Sequence, residues 1–293
     1  METNDIIDTF EVCKKRWEIQ DNQNRFFSRY PEWVQEMPEA LAEIINSLMQ
    51  GFDYYSHSMV NRKLKISHKD LQEMCGVEFN NTIYCVLPNK KGRINSGYEY
   101  LIEYRYLNEL SKYVVFPNLK EVPQEYFENI ENIVFIDDFC GTGKTFKDYI
   151  KTVEEIVQGK KIYYLVIHIM QKAIENIKEY GESRNLSIHV LYQTCTLKAF
   201  ERNFQLSEQR DEFKNLSIEC GVSTKDVFGF KNTEALVAFY NDTPNNTLGI
   251  FWKNTEKNNA LFPRVNDKKP DWMEMRKAKK SRNASNYLNG SNV

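Results

Sequence analysis

The chain has 293 residues, of which 41% are hydrophobic and 27% are charged, and its formal net charge is −2. This composition is typical of a globular protein long enough for one large α/β domain with an appendage. A net charge this close to zero excludes a general attraction to nucleic acid or anionic membranes, so any anion site must be a local arrangement of donors.

The sequence carries no signal for a membrane or a structural metal. No apolar run is long enough to span a bilayer, and the acidic, polar start is unlike a signal peptide. The six cysteines are dispersed without a C-x-x-C pair, and the four histidines lack metal-ligand spacing. We therefore expect a cytoplasmic protein with reduced thiols and no structural zinc.

Residues 1–78 are predicted to form a helical N-terminal region, because apolar residues recur there at helical spacing. One such stripe consists of Leu41, Ile44, Ile45 and Leu48. The aromatic residues Phe52, Tyr54 and Tyr55, which follow Gly51, are expected to pack against the next domain.

From about residue 80, short apolar runs alternate with amphipathic helical segments. The predicted strands are 82–87, 113–116, 133–136, 162–169, 186–191 and a late strand at 235–240. This alternation predicts a doubly wound α/β domain over residues 79–264 with a mainly parallel sheet. Residues 265–293 are polar and basic, and we expect a flexible tail. Its run at 277–282 could touch nucleic acid, although a solvated tail is favoured.

The segment after the strand at 133–136 carries the main functional signal. Two adjacent acids, Asp137 and Asp138, come first, and a turn with two glycines and two threonines leads into a helix near Thr145. Ligands bind at the carboxyl ends of strands in an open parallel sheet. Glycines let backbone N–H groups approach a ligand, and the helix end adds unpaired donors, so the turn is typical of a phosphate cradle.

The two acids narrow the class of ligand. Adjacent carboxylates would repel a bare polyphosphate, but they suit a sugar whose hydroxyls need acceptors and a reaction centre that becomes positive. Ribose 5-phosphate activated at C1 meets both needs.

The stretch IVFIDDFCGTGKTF resembles the ribose-phosphate signature of type I phosphoribosyltransferases, in which two acids and three free positions precede T-G-x-T. A nucleotide triphosphatase P-loop is the main alternative, since Gly143-Lys144-Thr145 ends like one. That motif needs a glycine five residues before Gly143, where this chain has Asp138. A purely structural turn with two capping aspartates is the other alternative.

By this resemblance, Asp137 and Asp138 would be the catalytic residues, binding the ribose 2′- and 3′-hydroxyls and stabilising an oxocarbenium-like centre. The 5-phosphate loop would consist of Phe139, Cys140, Gly141, Thr142, Gly143, Lys144 and Thr145. Mg²⁺ would bind mainly through oxygens of the substrate, phosphoribosyl pyrophosphate, rather than through direct protein ligands.

Two further sets of residues are weaker candidates. By order along the chain, the family's pyrophosphate loop corresponds to Lys91, Arg93, Ser96 and Gly97, for which a solvated loop is an equal alternative. For the acceptor site, the candidates are Asn245, Asn246 and Trp252, for which a turn and a core tryptophan are the alternative.

One position departs from the family pattern. Relatives that salvage 6-oxopurines usually carry an aspartate before T-G-x-T, where this chain has Gly141. The resemblance therefore favours a reaction other than that type of purine salvage.

The resemblance implies an enzyme, a glycosyltransferase that transfers or releases a ribose phosphate. The C-terminal part also resembles divergent phosphoribosyltransferase-like proteins of bacterial conflict and anti-phage systems, some of them retron-linked, which implies an effector in antiviral defence. The alternative is a catalytically silent sensor of a nucleotide or of phosphoribosyl pyrophosphate, whose helical region 1–78 binds a partner protein. A nucleic-acid-binding scaffold has only the basic tail in its favour.

Overall fold

The computed structural model describes residues 3–18, 25–89, 95–202 and 204–264. The elements below belong to one unit, Met1–Pro263. The N-terminal part contributes α1 (Thr3–Arg16), α2 (Arg25–Gln35), α3 (Glu39–Met49), β1 (Asp53–Tyr55) and α4 (His57–Cys75). The middle part contributes β2 (Thr82–Cys85), α5 (Ser96–Leu107), β3 (Val115–Phe116), β4 (Asn132–Cys140), α6 (Lys144–Thr152), α7 (Glu154–Val157), β5 (Lys161–Met170), α8 (Gln171–Arg184) and β6 (Ser187–Thr196). The last part contributes α9 (Phe204–Glu208), α10 (Arg210–Glu219), α11 (Thr224–Val227), β7 (Val237–Phe239) and α12 (Gly249–Trp252).

Five strands form the main sheet in the order β3-β2-β4-β5-β6, and every pairing in it is parallel. β4 occupies the centre, between β2 and β5. The apolar runs of β4 and β5 are buried on both faces, as parallel strands covered by helices require. The predicted parallel α/β sheet is confirmed.

Helices cover both faces of the main sheet, each with its own hydrophobic core. On one face, α4 and α5 bury Val60, Leu64, Tyr100 and Tyr104. On the other, residues of α6 and α8 are buried, among them Phe146, Ile150, Ala173 and Ile177. This is the doubly wound arrangement that the alternation predicts.

Two of the predicted strands differ from the observed ones. The late strand does not join the main sheet, because β7 pairs in parallel with β1 in a separate two-stranded sheet. The sequence predicts only that Phe52, Tyr54 and Tyr55 pack against the next domain. The structure places Asp53–Tyr55 in the strand β1, which was not predicted. Three residues are too few to show strand periodicity. In the predicted strand 113–116, only Val115 and Phe116 are extended, after a 3₁₀ turn.

A buried histidine connects the two sheets. His168 of β5 is fully buried, and its Nδ1 lies 3.0 Å from the hydroxyl of Tyr55 in β1. Its Nε2 lies 2.9 Å from Thr196 Oγ1 of β6. Burial lowers the pKa of His168 to about 3, so the ring is a neutral hydrogen-bonding link at physiological pH.

A third core joins the N-terminal helices to the C-terminal segment. The predicted apolar stripe of α3 is buried in this third core, which also contains Trp33, Phe213 and Phe251. Phe52 lies at its centre, with ring centroids 4.9 Å from both Phe251 and Phe262. The helical N-terminal region is confirmed. The boundaries at residues 78 and 264 stay a prediction, since packing between segments does not locate a boundary.

Within the described residues, no helix is long and apolar enough to cross a membrane. All six cysteines are unpaired thiols. The predicted tail 265–293 lies outside the described residues.

Phe52→Ala should lower the free energy of unfolding by about 3–5 kcal/mol, because it opens a cavity among buried aromatic rings. Urea denaturation measures this. Tyr113→Ala, at a side chain that is 72% exposed, serves as the control and should change stability by less than about 0.5 kcal/mol. A loss below about 1 kcal/mol for Phe52→Ala would contradict the shared core.

Candidate functional site

The two acids lie on the central strand itself. β4 continues through Asp137 and Asp138 to Cys140, and Asp137 stands opposite Val166 of β5. Both side chains are half-buried, with protein on most sides and part of their surface open to solvent. Neither carboxylate forms an ion pair with a described residue. They are therefore available to a ligand that brings hydroxyl donors or positive charge.

Neighbouring elements fix the position of each carboxylate. The hydroxyl of Tyr164, on β5, donates to Asp137 Oδ2 at 2.6 Å, and the backbone N–H of Asp138 donates to Asp137 Oδ1 at 3.1 Å. Tyr164 also stacks on Phe146 of α6, with centroids 4.5 Å apart. Ser96 Oγ, at the start of α5, donates to Asp138 Oδ1 at 3.1 Å.

The N-terminus of α5 faces the acids. A Cβ at Gly97 would lie 3.6 Å from Asp137 Oδ1, which is ordinary contact. Asn95 caps the helix by accepting from Tyr98 N–H, and its Nδ2 donates to the carbonyl of Leu87 after β2. Of the predicted pyrophosphate loop, Ser96 and Gly97 thus meet the acids, while Lys91 and Arg93 lie outside the described residues.

Burial raises the pKa of both carboxyl groups, and the pKa of Asp137 lies well above the usual range because the charge of Asp138 adds to the effect. Hydrogen bonds from Tyr164 to Asp137 and from Ser96 to Asp138 act in the opposite direction, since they favour the charged form. The pair is thus held together at an electrostatic cost, as is common at functional sites.

The turn after β4 is shaped for a close backbone approach. Gly143, just before α6, has φ +71°, and a Cβ there would lie 2.8 Å from Ile177 Cγ1 and 3.2 Å from the carbonyl of Ala173, so only glycine fits. Asn176 Nδ2 donates to the carbonyl of Thr142 at 3.1 Å, so α8 backs this end of the turn. The N-cap residue Gly143 has no side chain to cap α6, and Thr142 Oγ1 accepts from the backbone N–H of Lys144 at a long 3.4 Å, so an anion could compete for the N–H groups of this helix start.

Side chains of the predicted 5-phosphate loop divide between core and surface. Phe139 is half-buried near His168, whereas Cys140 is buried on the opposite face and can offer a ligand only its backbone. Lys144 is exposed and pairs with Asp148 at 2.7 Å, and Thr145 is exposed. Lys144 must leave Asp148 before its charge can serve a phosphate.

The C-terminal candidates lie in three different settings. Asn246 is half-buried against the turn, since a Cβ at Gly141 would lie only 2.4 Å from its Nδ2. Asn245 is exposed. Trp252 is 6% exposed, and its indole N–H donates to the carbonyl of Thr247, so a base could stack on it only after local rearrangement.

A family model matches residues 30–264, which include the whole main sheet, both acids and Asn246. The chain belongs to the PRTase-CE family. The phosphoribosyltransferase-like assignment made from the motif is thereby confirmed.

A solved structure, the xanthine-guanine-hypoxanthine phosphoribosyltransferase of Helicobacter pylori, is similar to this PRTase-CE chain at 13% identity. The likeness covers 54% of this chain and 96% of that one, with a TM-score of 0.34, which is too low to bear on the site. We find no match to this chain among curated proteins.

Tyr164, Asn176 and Thr233 are site residues that sequence reasoning missed. Tyr164 precedes Val166 by two positions, and in a parallel pairing of β4 with β5 it falls on the face of Asp137. Once the register of β4 against β5 is known, the sequence alone therefore places Tyr164 on the same face of the sheet as Asp137. Asn176 and Thr233 come from α8 and a loop, and no pattern near them indicates the site. No three His, Cys, Asp or Glu side chains among the described residues lie together as a metal site.

Gly141→Ala should lower the free energy of unfolding by about 1–2 kcal/mol, because its Cβ displaces the Asn246 carboxamide from Thr233, to which it donates at 2.9 Å. With Asn246→Ala the clash is gone, so the double variant should lose less than the sum, by at least about 0.5 kcal/mol. Urea denaturation of the four proteins measures this coupling.

Gly159→Ala is the matched control for that cycle. Gly159 has positive φ, which Gly141 does not, but a Cβ at Gly159 meets open space, so the effect of Gly159→Ala should add to that of Asn246→Ala. Additivity at Gly141 as well would show that Asn246 does not lie against the turn.

Asp138→Asn should stabilise this PRTase-CE protein near pH 7.5 by about 1 kcal/mol, the usual scale of such changes at functional sites. Because the folded-state pKa of Asp138 is raised, the folded protein holds the proton more tightly than the unfolded chain. Wild-type stability therefore falls as pH rises from the unfolded pKa of about 4 through the raised pKa, and the asparagine variant escapes that loss.

Urea denaturation between pH 4 and pH 8 measures the difference, which should vanish toward pH 4. Glu179→Gln, at an exposed position of α8, should follow the wild-type profile. A variant less stable than wild type at pH 7.5 would contradict the raised pKa.

Proposed function

We propose that this protein binds phosphoribosyl pyrophosphate, or a related ribose phosphate, with Mg²⁺, and that it transfers or releases the ribose phosphate. The observation that carries the proposal is the pair of carboxylates, Asp137 and Asp138, which form no ion pair with any described residue and come directly before a glycine turn and the start of α6. Acceptors for the ribose hydroxyls and donors for the phosphate then follow one another along residues 137–145. Family membership supports the same class of ligand.

Each part of the site has a role in this proposal. The carboxylates accept hydrogen bonds from the ribose 2′- and 3′-hydroxyls and stabilise positive charge that develops at C1. Tyr164 and Ser96 hold them in place through the bonds at 2.6 Å and 3.1 Å. Backbone N–H groups of residues 141–145 hold the 5-phosphate. Lys91 and Arg93 stay candidates for the pyrophosphate, and Asn245 and Trp252 for the acceptor.

The donor set fits a magnesium ion held mainly by the substrate. The two carboxylates are hard oxygen ligands, but they are too few for a complete protein site, and each already accepts a hydrogen bond. When bound, Mg²⁺ would neutralise charge on the pyrophosphate. The protein's own contribution is to orient the ribose between the acids and the turn.

The resemblance to proteins of bacterial anti-phage systems supports a wider role in the cytoplasm. There, the enzyme would be an effector that modifies a nucleotide or nucleic acid, or drains a metabolite. Gly141 supports a reaction other than 6-oxopurine salvage, since it offers no carboxylate for a base proton.

A catalytically silent sensor is the second candidate, and one observation favours it. Both oxygens of Asp137 already accept hydrogen bonds, from Tyr164 and from the backbone of Asp138, and Lys144 is paired with Asp148. A site whose groups are occupied in this way can bind a ligand without reacting. In this case the helical region 1–78 would pass the signal to a partner protein.

The double variant Asp137→Asn/Asp138→Asn should bind phosphoribosyl pyrophosphate with Mg²⁺ at least about tenfold more weakly than wild type. The reason is that two charge-assisted hydrogen bonds to ribose hydroxyls are weakened. Calorimetry measures both affinities. Wild-type protein that does not bind phosphoribosyl pyrophosphate in the presence of Mg²⁺ would refute the proposal.

Release of pyrophosphate, followed by ³¹P NMR with nucleobases, nucleotides and oligonucleotides as acceptors, separates the two candidates. Turnover with any acceptor, or with water, identifies an enzyme. Binding without turnover identifies the sensor. Glu212→Gln, an exposed change on α10 that also removes one negative charge, is the control and should leave binding within about twofold.

A further inference from the structure

The segment around Asn246 is fixed by backbone contacts before any ligand arrives. The carbonyl of Asn246 accepts from Ala235 N–H at 3.1 Å, and the carbonyl of Asn245 accepts from Phe230 N–H at 2.8 Å. The backbone of Asn246 packs directly against Gly229, which has φ +68°. A Cβ at Gly229 would lie 2.0 Å from the Asn246 carbonyl oxygen, so a larger residue would not fit. The position of Asn246 is therefore preorganised.

The side chain of Asn246 takes the space that a side chain at position 141 would need. A Cβ at Gly141 would lie 2.4 Å from Asn246 Nδ2 and 2.9 Å from its Cγ. A hydrogen bond to the buried Thr233 Oγ1 at 2.9 Å orients the carboxamide. Two glycines thus make room for one asparagine, Gly229 for its backbone and Gly141 for its side chain.

The two ends of the turn have different neighbours, which indicates what Asn246 meets. The end at 142 and 143 is backed by α8, through Asn176 and Ile177, and leads into the helix start that suits the 5-phosphate. The end at 141 is nearer along the chain to the carboxylates that suit the ribose, and Asn246 lies against it. A ligand in this orientation turns its sugar end, with the group attached at C1, toward Asn246.

The carboxamide is neutral and offers both kinds of hydrogen bond. One Nδ2 hydrogen goes to Thr233, which leaves the second hydrogen and Oδ1 for a ligand as far as the described residues are concerned. A neighbouring donor and acceptor match the edge of a nucleobase, as when asparagine pairs with a base. We propose that Asn246 reads a nucleobase carried on C1 of the ribose phosphate, an inference that rests on the proposed function.

Calorimetry with two kinds of probe tests this assignment. The probes are ribose 5-phosphate and the 5′-monophosphates of adenosine, guanosine, cytidine and uridine. Asn246→Ala should weaken binding of the monophosphate that wild type binds most tightly by about tenfold. It should weaken binding of ribose 5-phosphate by less than about twofold, because only the base contact is lost. Asn215→Ala, an exposed asparagine on α10, is the control and should change neither.

A second variant covers the case in which alanine disturbs the loop. Asn246→Asp keeps the shape but removes the donor, and it can accept from Thr233 only if that hydroxyl turns away from the carbonyl of Phe230, to which it donates. Its charge repels both kinds of probe, so the ratio of the two affinities is the readout, and this ratio should again shift by about tenfold. Equal losses for both probes, or no loss for either, would overturn the inference. Wild-type protein that fails to bind ribose 5-phosphate would refute the proposed function as well.

Discussion

The site depends on the central position of β4 between two parallel neighbours. Parallel pairing brings the carboxyl ends of β2, β4 and β5 to one edge, so the helix that follows β2 and a tyrosine of β5 both reach the acids of β4. At Asp137 the strand is paired with Val166 of β5, which fixes the backbone of the acids more firmly than a loop would. A repulsive pair of carboxylates persists there because the surrounding sheet determines where it lies.

The second constraint is close packing around the turn, which three glycines permit because they lack a side chain. Gly143 admits α8 against the turn, Gly141 admits the carboxamide of Asn246, and Gly229 admits the backbone of the segment that carries it. Each contact joins elements far apart in the chain. The turn is therefore defined by its neighbours in the fold as much as by its own sequence.

The sequence was sufficient to predict the main sheet and the acids with the turn after them, because these signals are local. Apolar runs closed by polar turns mark β2, β4, β5 and β6, and the motif spans fewer than ten residues. It was insufficient for β1 and for the separate sheet of β7, since three-residue strands carry no periodicity and their partners are remote. It also named Asn246 without the reason for its position, which is a contact with a glycine more than a hundred residues earlier.

The pairing of Tyr55 with Phe239 has a consequence for how the chain is made. These residues are about 180 positions apart, and closing so long a loop is entropically costly and slow. The apolar faces of the first three helices also pack in one core with Phe251 and Phe262, which are made long after those helices. The nascent N-terminal segment therefore has unburied aromatic surface until residues 251 and 262 have been made, and such exposed surface is prone to aggregation and bound by chaperones.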